Sequence, residues 1–380
     1  MQFNAFYFFP QHNVILVHFQ FQHMKSILEC VSTTIETDTT PLFEHLETSK
    51  DKQRSLKDVL KSQITAVEIL TNLTSSDEKC DLQESDEEFD GDFVDADSDD
   101  MEEGHEILLG SDDKIFAQSL SALGLVPKIL ERTQKYLQMP SETRNFLQEN
   151  EPEVCDLLSR FVIDAYLCAA NIAEMLSVSQ LGGGQDLKTA WLGLCGQLCA
   201  KPTSADLADS LCAVVRSFTS QVVRAEAGVS LDNVGTGDLE QLVAVYSHYS
   251  AAEASNIRTN VVNILGSLGS AAARTVTDPT CKLVVSKLAC WITDVVLSDA
   301  CLRVTLEGLD KFLDLFSADE TDELFAELNL LNKLKQINPA MKSRIKKEKR
   351  FLEEEDIAVA NTVKLNLQRF ISYKEKRMRK

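Results

Sequence analysis

"ASNIRTNVVNILGSLG" (254–269) and "DACLRVTLEGLDKFLDLF" (299–316) decide the fold. Both open on a polar entry, place an aliphatic residue before an arginine, and continue as an apolar stripe. The first stripe runs Ile257, Val261, Ile264, Leu265, Leu268; the second runs Leu302, Leu306, Leu309, Phe312, Leu313, Phe316. Steps of three and four put each set on one face of an α-helix. The two stretches begin roughly 45 residues apart, the period of HEAT-type and armadillo-type repeats. In such repeats each helix pair buries one side by itself and stacked neighbours supply the remaining core. The arginine after the aliphatic residue, Arg258 or Arg303, is placed to reach an acid of a neighbouring repeat.

Working outward, the same 3.6-residue period predicts helices over 114–138, 153–179, 186–199, 204–224, 237–249, 255–274, 281–298, 300–317, 321–350 and 356–376. Breaks are expected at Pro140, Pro152, Gly182–Gly184, Pro202, Gly235/Gly237 and Pro279. First helices starting near 186, 237, 281 and 321 keep the repeat period. No segment alternates with a period of two. The expected fold is all-α, an armadillo/HEAT-type superhelix over 114–380. Upstream, "SLKDVLKSQITAVEILTNLTSSDE" (55–78) carries one more stripe, Leu56, Val59, Leu60, Ile64, Val67, Leu70 and Leu73. One such helix cannot fold alone, so 51–76 reads as the remnant of an armadillo repeat. The start, "MQFNAFYFFPQHNVILVHFQFQHMKS", is aromatic and His-rich and lacks the basic opening of a signal peptide. Residues 1–50 are expected to be a leader outside the fold, disordered or mis-assigned.

The net charge of -21 is uneven. Residues 77–113 hold 18 acids and one base, Lys79, whereas 333–380 hold 15 bases and six acids. An unpaired carboxylate is expensive to bury, so 77–113 is expected to be a disordered acidic loop. Acid-rich cords repel nucleic acid and attract basic proteins. Phe89 and Phe93 interrupt the acids as short apolar anchors. The candidate partner-binding residues here are Glu84, Asp86, Glu87, Glu88, Phe89, Asp90, Asp92, Phe93, Asp95, Asp97, Asp99 and Asp100. Asp95, Asp97, Asp99 and Glu106 match EF-hand spacing, but Asp100 stands where that loop needs glycine. Ser85 before Asp86-Glu87-Glu88 resembles an acidophilic kinase site. The basic stretch "NKLKQINPAMKSRIKKEKR" (332–350) reads as the charged outer face of a capping helix, or as a localisation or RNA-contact patch.

Ten cysteines form no CxxC pair, and those in helical patterns read as buried free thiols of a reducing compartment. Cys195 and Cys199 stand one turn apart without a histidine to complete a metal site. "LGGGQ" (181–185) follows a helix and precedes no GK[ST], so it is a turn and not a phosphate loop. His248 is the single histidine of 114–380, and Trp191 and Trp291 sit on apolar faces. No run reaches the roughly 18 apolar residues of a membrane span. These features predict a binding protein, with no enzyme activity, no cofactor, no metal and no membrane contact.

Three stretches carry a resemblance: "NIRTNVVNILGSLG", "KQINPAMKSRIKKEKR" (335–350) and, most specifically, "NTVKLNLQRFISYKE" (361–375), with Val363, Leu365, Asn366, Leu367, Arg369, Phe370 and Tyr373. They resemble the C-terminal region of the HEAT repeat-containing protein 3 family, the symportins. "AVEILTNLTSSDE" (66–78) followed by acids is similar to that family's junction between an armadillo half and a HEAT half. The resemblance covers roughly 55–376. It leaves out 1–50 and most of the armadillo half, as expected for a truncated gene model or isoform. It implies an adaptor and chaperone for the two basic large-subunit ribosomal proteins that bind 5S RNA, escorting them to the nucleus. Such a protein shuttles between cytoplasm and nucleus. The family's receptor-binding signal lies near its N-terminus, which leaves an import receptor in doubt as a partner here. The expected state is a monomer without direct nucleic-acid contact. Second helices should line the concave face, with Arg258 and Asn260 contacting client backbone. The alternative is a general HEAT-type interaction scaffold with an inert acidic linker.

Overall fold

The computed structural model describes residues 11–43, 49–75, 111–202, 204–225 and 236–379. All regular structure among them is helical. The chain runs α1 (Gln11–Glu36), α2 (Thr40–Phe43), α3 (Lys50–Thr74), α4 (Ser111–Ala122), α5 (Leu125–Leu137), α6 (Ser141–Asn150), α7 (Pro152–Met175) and α8 (Gly184–Cys199). It continues through α9 (Ala205–Arg224), α10 (Thr236–His248), α11 (Ser255–Ala273), α12 (Pro279–Ser298), α13 (Leu302–Leu315), α14 (Asp322–Glu327), α15 (Leu330–Glu348) and α16 (Glu354–Met378).

The helices stack as antiparallel pairs: α1/α3, α5/α7, α8/α9, α10/α11, α12/α13 and α15/α16. The second helices α3, α7, α9, α11, α13 and α16 follow one another as a continuous row. The first helices touch their own partners and meet one another far less. A row packed more tightly than its neighbour lies on the inside of the curve, so the second helices form the inner layer of an α-solenoid. Small residues permit the close approach. Ala165, Ala169, Ala170 and Ala173 are buried on α7 between α3 and α9. On α11, Gly266 and Gly269 lie against the Lys311 stem and against Leu288 and Leu315.

Two long helices expected from the sequence are each divided. Gly124, at φ +59, separates α4 from α5, and Asn329, at φ +52, separates α14 from α15. These are left-handed residues, which no α-helix continues through. α6 fills the stretch between the expected breaks at Pro140 and Pro152, where the sequence period predicts no helix. The expectation that 1–50 lies outside the fold fails for α1. α1 buries Leu28, Val31 and Ile35 against α3 and α5. Their helical spacing was present in the sequence, but the partners that hold α1 lie on other helices, α3 and α5, the latter 97 residues downstream in the contact of Arg132 with Ile35.

Helix ends are closed by side chains from other helices. Gln63 donates to the carbonyls of Thr34, Ile35 and Thr37 at 3.1–3.3 Å. Arg132 donates to those of Ile35 and Glu36 at 3.1 and 2.7 Å. Gln221 closes Ala173 at 2.9 Å. Arg344 closes Asp299 at 3.0 Å and Ala300 at 2.5 Å. A helix leaves its last four carbonyls without intrahelical donors, and these contacts supply donors at the seams between neighbours.

Candidate functional site

The inner row turns one polar stripe of each helix away from the first helices. α3 contributes Lys57, Lys61 and Glu68; α7 contributes Glu153, Arg160, Asp164 and Glu174; α9 contributes Asp209 and Arg216. α11 contributes Asn256, Asn260 and Asn263, and α13 contributes Arg303, Glu307, Asp310 and Lys311. Stripe residues hydrogen-bond across the helices. Lys57 and Lys61 reach Glu153 at 3.0 and 3.2 Å, and Arg160 pairs with Glu68. Arg216 donates to Glu174 at 3.4 Å and to Asn260 at 3.2 Å. Asn263 donates to Glu307 at 2.7 Å.

Asn260 lies on this ladder, 9% exposed, with its amide held between Arg216 and Asp209. Arg258 does not share the face. Two helix positions correspond to about 200°, so the two residues cannot both line one groove. Arg258 is 4% exposed, and its guanidinium grips Asp299 at 2.9 and 3.3 Å and the carbonyls of Tyr249 and Ala251 at 3.1 and 2.5 Å. It is a joint between the α10/α11 and α12/α13 pairs. The reach to an acid of the next pair, read from the sequence for Arg258, is the contact observed. Arg303 behaves differently and reaches the amide of Asn256, at 3.4 Å, in the preceding pair.

Three carboxyls of the ladder are half-buried. Burial raises Asp164 on α7, Asp209 on α9 and Asp310 on α13 above the ordinary carboxylate range. Asp164 Oδ2 is buried without a hydrogen bond, though Arg160 stands 3.5 Å away. A buried acid favours its charged form only when cations or donors face it, so each of the three is improved by an added cation. Sequence reading missed them because an acid on a helical stripe looks alike whether it is solvated or half-buried. At the C-terminal ends of α9, α11 and α13 the stripe opens into a groove of about 380 Å³, lined among others by Ser220, Arg224, Ser267, Ser270, Lys311 and Asp314. The Ser270 hydroxyl is buried there without a partner.

The acidic candidates Glu84, Asp86, Glu87, Glu88, Phe89, Asp90, Asp92, Phe93, Asp95, Asp97, Asp99 and Asp100 lie outside the described residues, as do Ser85 and the calcium-like spacing. Among the described residues no three His, Cys, Asp or Glu converge in a group that could hold a metal ion. Cys168 and Cys212 are buried, and burial pushes the Cys168 thiol up to about 12. Cys155, Cys195, Cys199, Cys281 and Cys301 are half-buried, and Cys30 and Cys290 are exposed, so the expectation of buried thiols is met in full by Cys168 and Cys212 and fails for Cys290 on α12. Trp191 is a core residue, donating to Thr219 at 2.9 Å. Trp291 is half-buried edge-on to Tyr246. No described helix is long and apolar enough to cross a membrane.

An extended, polar inner surface on a row of stacked helices defines a repeat scaffold, a class that works by binding other proteins. A family model described as SYO1-like, TPR repeats matches residues 116–378, and the chain belongs to this family. The chain is 30% identical over 213 residues to HEAT repeat-containing protein 3 of Mus musculus and, equally, to that of Homo sapiens. The matched stretch is 56% of this chain and 30% of each relative, so the chain spans less than a third of the length of these curated relatives.

Proposed function

We propose that this chain is an adaptor for strongly basic proteins, and that its clients are the ribosomal proteins that bind 5S RNA, carried to the nucleus for large-subunit assembly. The observation that carries this reading is the set of half-buried carboxyls Asp164, Asp209 and Asp310 on the polar stripe of three inner-layer helices, α7, α9 and α13, each raised by burial. Client lysines and arginines would add to the cations already near them, Arg160 at 3.5 Å from Asp164 and Lys311 at 3.8 Å from Asp310. The acidic run 77–113 supports the same polarity, since its charge attracts basic partners over a distance and speeds their capture. In this reading 77–113 is a capture loop, 114–380 is the HEAT-type domain, and the protein shuttles between cytoplasm and nucleus.

The test is a titration of the chain against the purified 5S RNA-binding ribosomal proteins at low and high salt. It is repeated with 77–113 deleted and with Asp164, Asp209 and Asp310 changed to Asn. Exposed charge contacts are screened by salt, so affinity should fall with salt and fall again in each variant. Loss only on deleting the loop assigns recognition to the loop; loss only in the triple variant assigns it to the ladder. Absence of binding by a folded chain at every salt concentration overturns the proposal in favour of a general scaffold with an inert linker.

A further inference from the structure

We propose that the C-terminal end of α15, with the turn into α16, is a binding platform for single-stranded RNA. Several lysines elsewhere in the solenoid are held by acids: Lys61 lies 3.2 Å from Glu153, Lys282 3.0 Å from Glu327 and Lys287 2.9 Å from Glu240. Lys342, Lys346, Lys347 and Lys349 are exposed, and none is ion-paired to a described side chain. They occupy the last turns of one helix and the short 3₁₀ turn after it. The dipole of α15 accounts for cations in its final turn. It does not account for Lys342, more than a turn earlier, nor for the aromatic residue beside them.

That residue is Phe351. At 74% exposure it is the most exposed large apolar side chain of the described chain, and the Arg350 guanidinium lies 4.6 Å from its ring centre. Lysines that meet phosphates, together with an exposed aromatic ring and an arginine on which bases stack, are the two parts of a single-strand platform. A duplex hides its base faces and would leave Phe351 without a role. A lipid surface would require several apolar side chains on this face, and the five residues before Phe351, 346–350, are all charged. The platform is fixed in place: Arg344 ties α15 to the Asp299 and Ala300 carbonyls and pairs with Glu348 at 2.8 Å. Glu353, Glu354 and Asp356 open α16 and repel phosphate there, so the strand is directed back along α15. The acidity of the whole chain argued against nucleic acid at the sequence level, but this end carries the opposite sign.

The test is fluorescence anisotropy of a short mixed-sequence single-stranded RNA with the full chain, across a salt series. Each lysine on a phosphate adds about 0.7 to the slope of log affinity against log salt. Changing Lys346, Lys347 and Lys349 together to Gln should lower that slope by about 2 and weaken binding at least about tenfold at low salt. Phe351→Ala should weaken binding at least about fivefold and leave the slope unchanged. All four side chains are exposed, and circular dichroism of each variant checks whether its helices are kept. Absence of RNA binding by the full chain, an unchanged slope in the lysine variant, or an unaffected Phe351→Ala overturns the proposal. So does a duplex bound as tightly as the single strand, or lysine-dependent binding to anionic phospholipid vesicles in place of RNA.

Discussion

Asp299 joins the α10/α11 pair to the α12/α13 pair through one side chain. Its carboxylate takes Arg258 at 2.9 Å, the Tyr246 hydroxyl at 2.5 Å and the Cys301 backbone N–H at 2.7 Å. Burial alone would raise this acid, but those donors and the Arg258 charge together hold it below the usual carboxylate range. Removing one partner of a buried pair strands the other, at about 3–5 kcal/mol. Asp299→Ala is therefore expected to destabilise the protein by about that amount, read as a lower urea midpoint. The pH dependence follows from the sign of the shift. A depressed folded value stabilises fully above the ordinary carboxylate value of about 4, and the gain is lost as pH falls through the folded value. The gap between wild type and Asp299→Ala should thus be widest near neutrality and should narrow under acid. An Asp299→Ala midpoint equal to wild type at neutral pH would remove the pair from the account of stability.

At the scale of the element, α11 shows how glycine sets a spacing. A Cβ on Gly266 would stand 2.5 Å from Lys311 Cβ and 2.6 Å from its Cγ, so α13 would have to move. Gly196 on α8 has nothing within 4 Å of the same position. Gly266→Ala should cost about 1–3 kcal/mol through overpacking, whereas Gly196→Ala should gain up to about 1 kcal/mol from helix propensity. Thermal melts of the two variants give the comparison, and equal shifts would contradict the packing described. Neither outcome was legible in "ILGSLG" as a string, because it depends on which helix crosses Gly266. The stripes of α11 and α13, the pairing and the repeat period were legible, since they are local. What was not legible depended on neighbours: the burial of α1, the separation of Arg258 from the groove face that Asn260 lines, and the raised acids of the ladder. The breaks at Gly124 and Asn329 fall between; both residue types favour the left-handed region, but the apolar stripe runs on past each.

For the whole molecule, stability in a stack of pairs is nearly a sum of pair terms and seam terms. α11 is flanked by α9, α12 and α13, and buries Val261, Val262, Ile264 and Leu265 completely. α1 rests on α3 and α5 alone among its larger contacts. Backbone amides of α11 and α13 should therefore exchange with solvent at least about tenfold more slowly than those of α1. Uniform protection across all the helices would instead indicate one cooperative block. The tight inner row and the loose outer row also fix how the superhelix bends. The first helices can spread or close while the ladder on the second helices keeps its spacing.

The side chains that close helix ends have a direction in time. Arg132 reaches back 96 residues to Glu36, Gln221 reaches back 48 to Ala173, and Arg344 reaches back 45 to Asp299. In each case the carbonyl is made first and its donor later. A chain emerging from the ribosome would therefore carry open helix ends at its growing edge until the following pair is translated, and each new pair would complete the one before it. Synthesis from the N-terminus would then act as a ratchet. The seams would be sealed in order, and a pause in translation would leave the last pair made as the part exposed to chaperones and proteases.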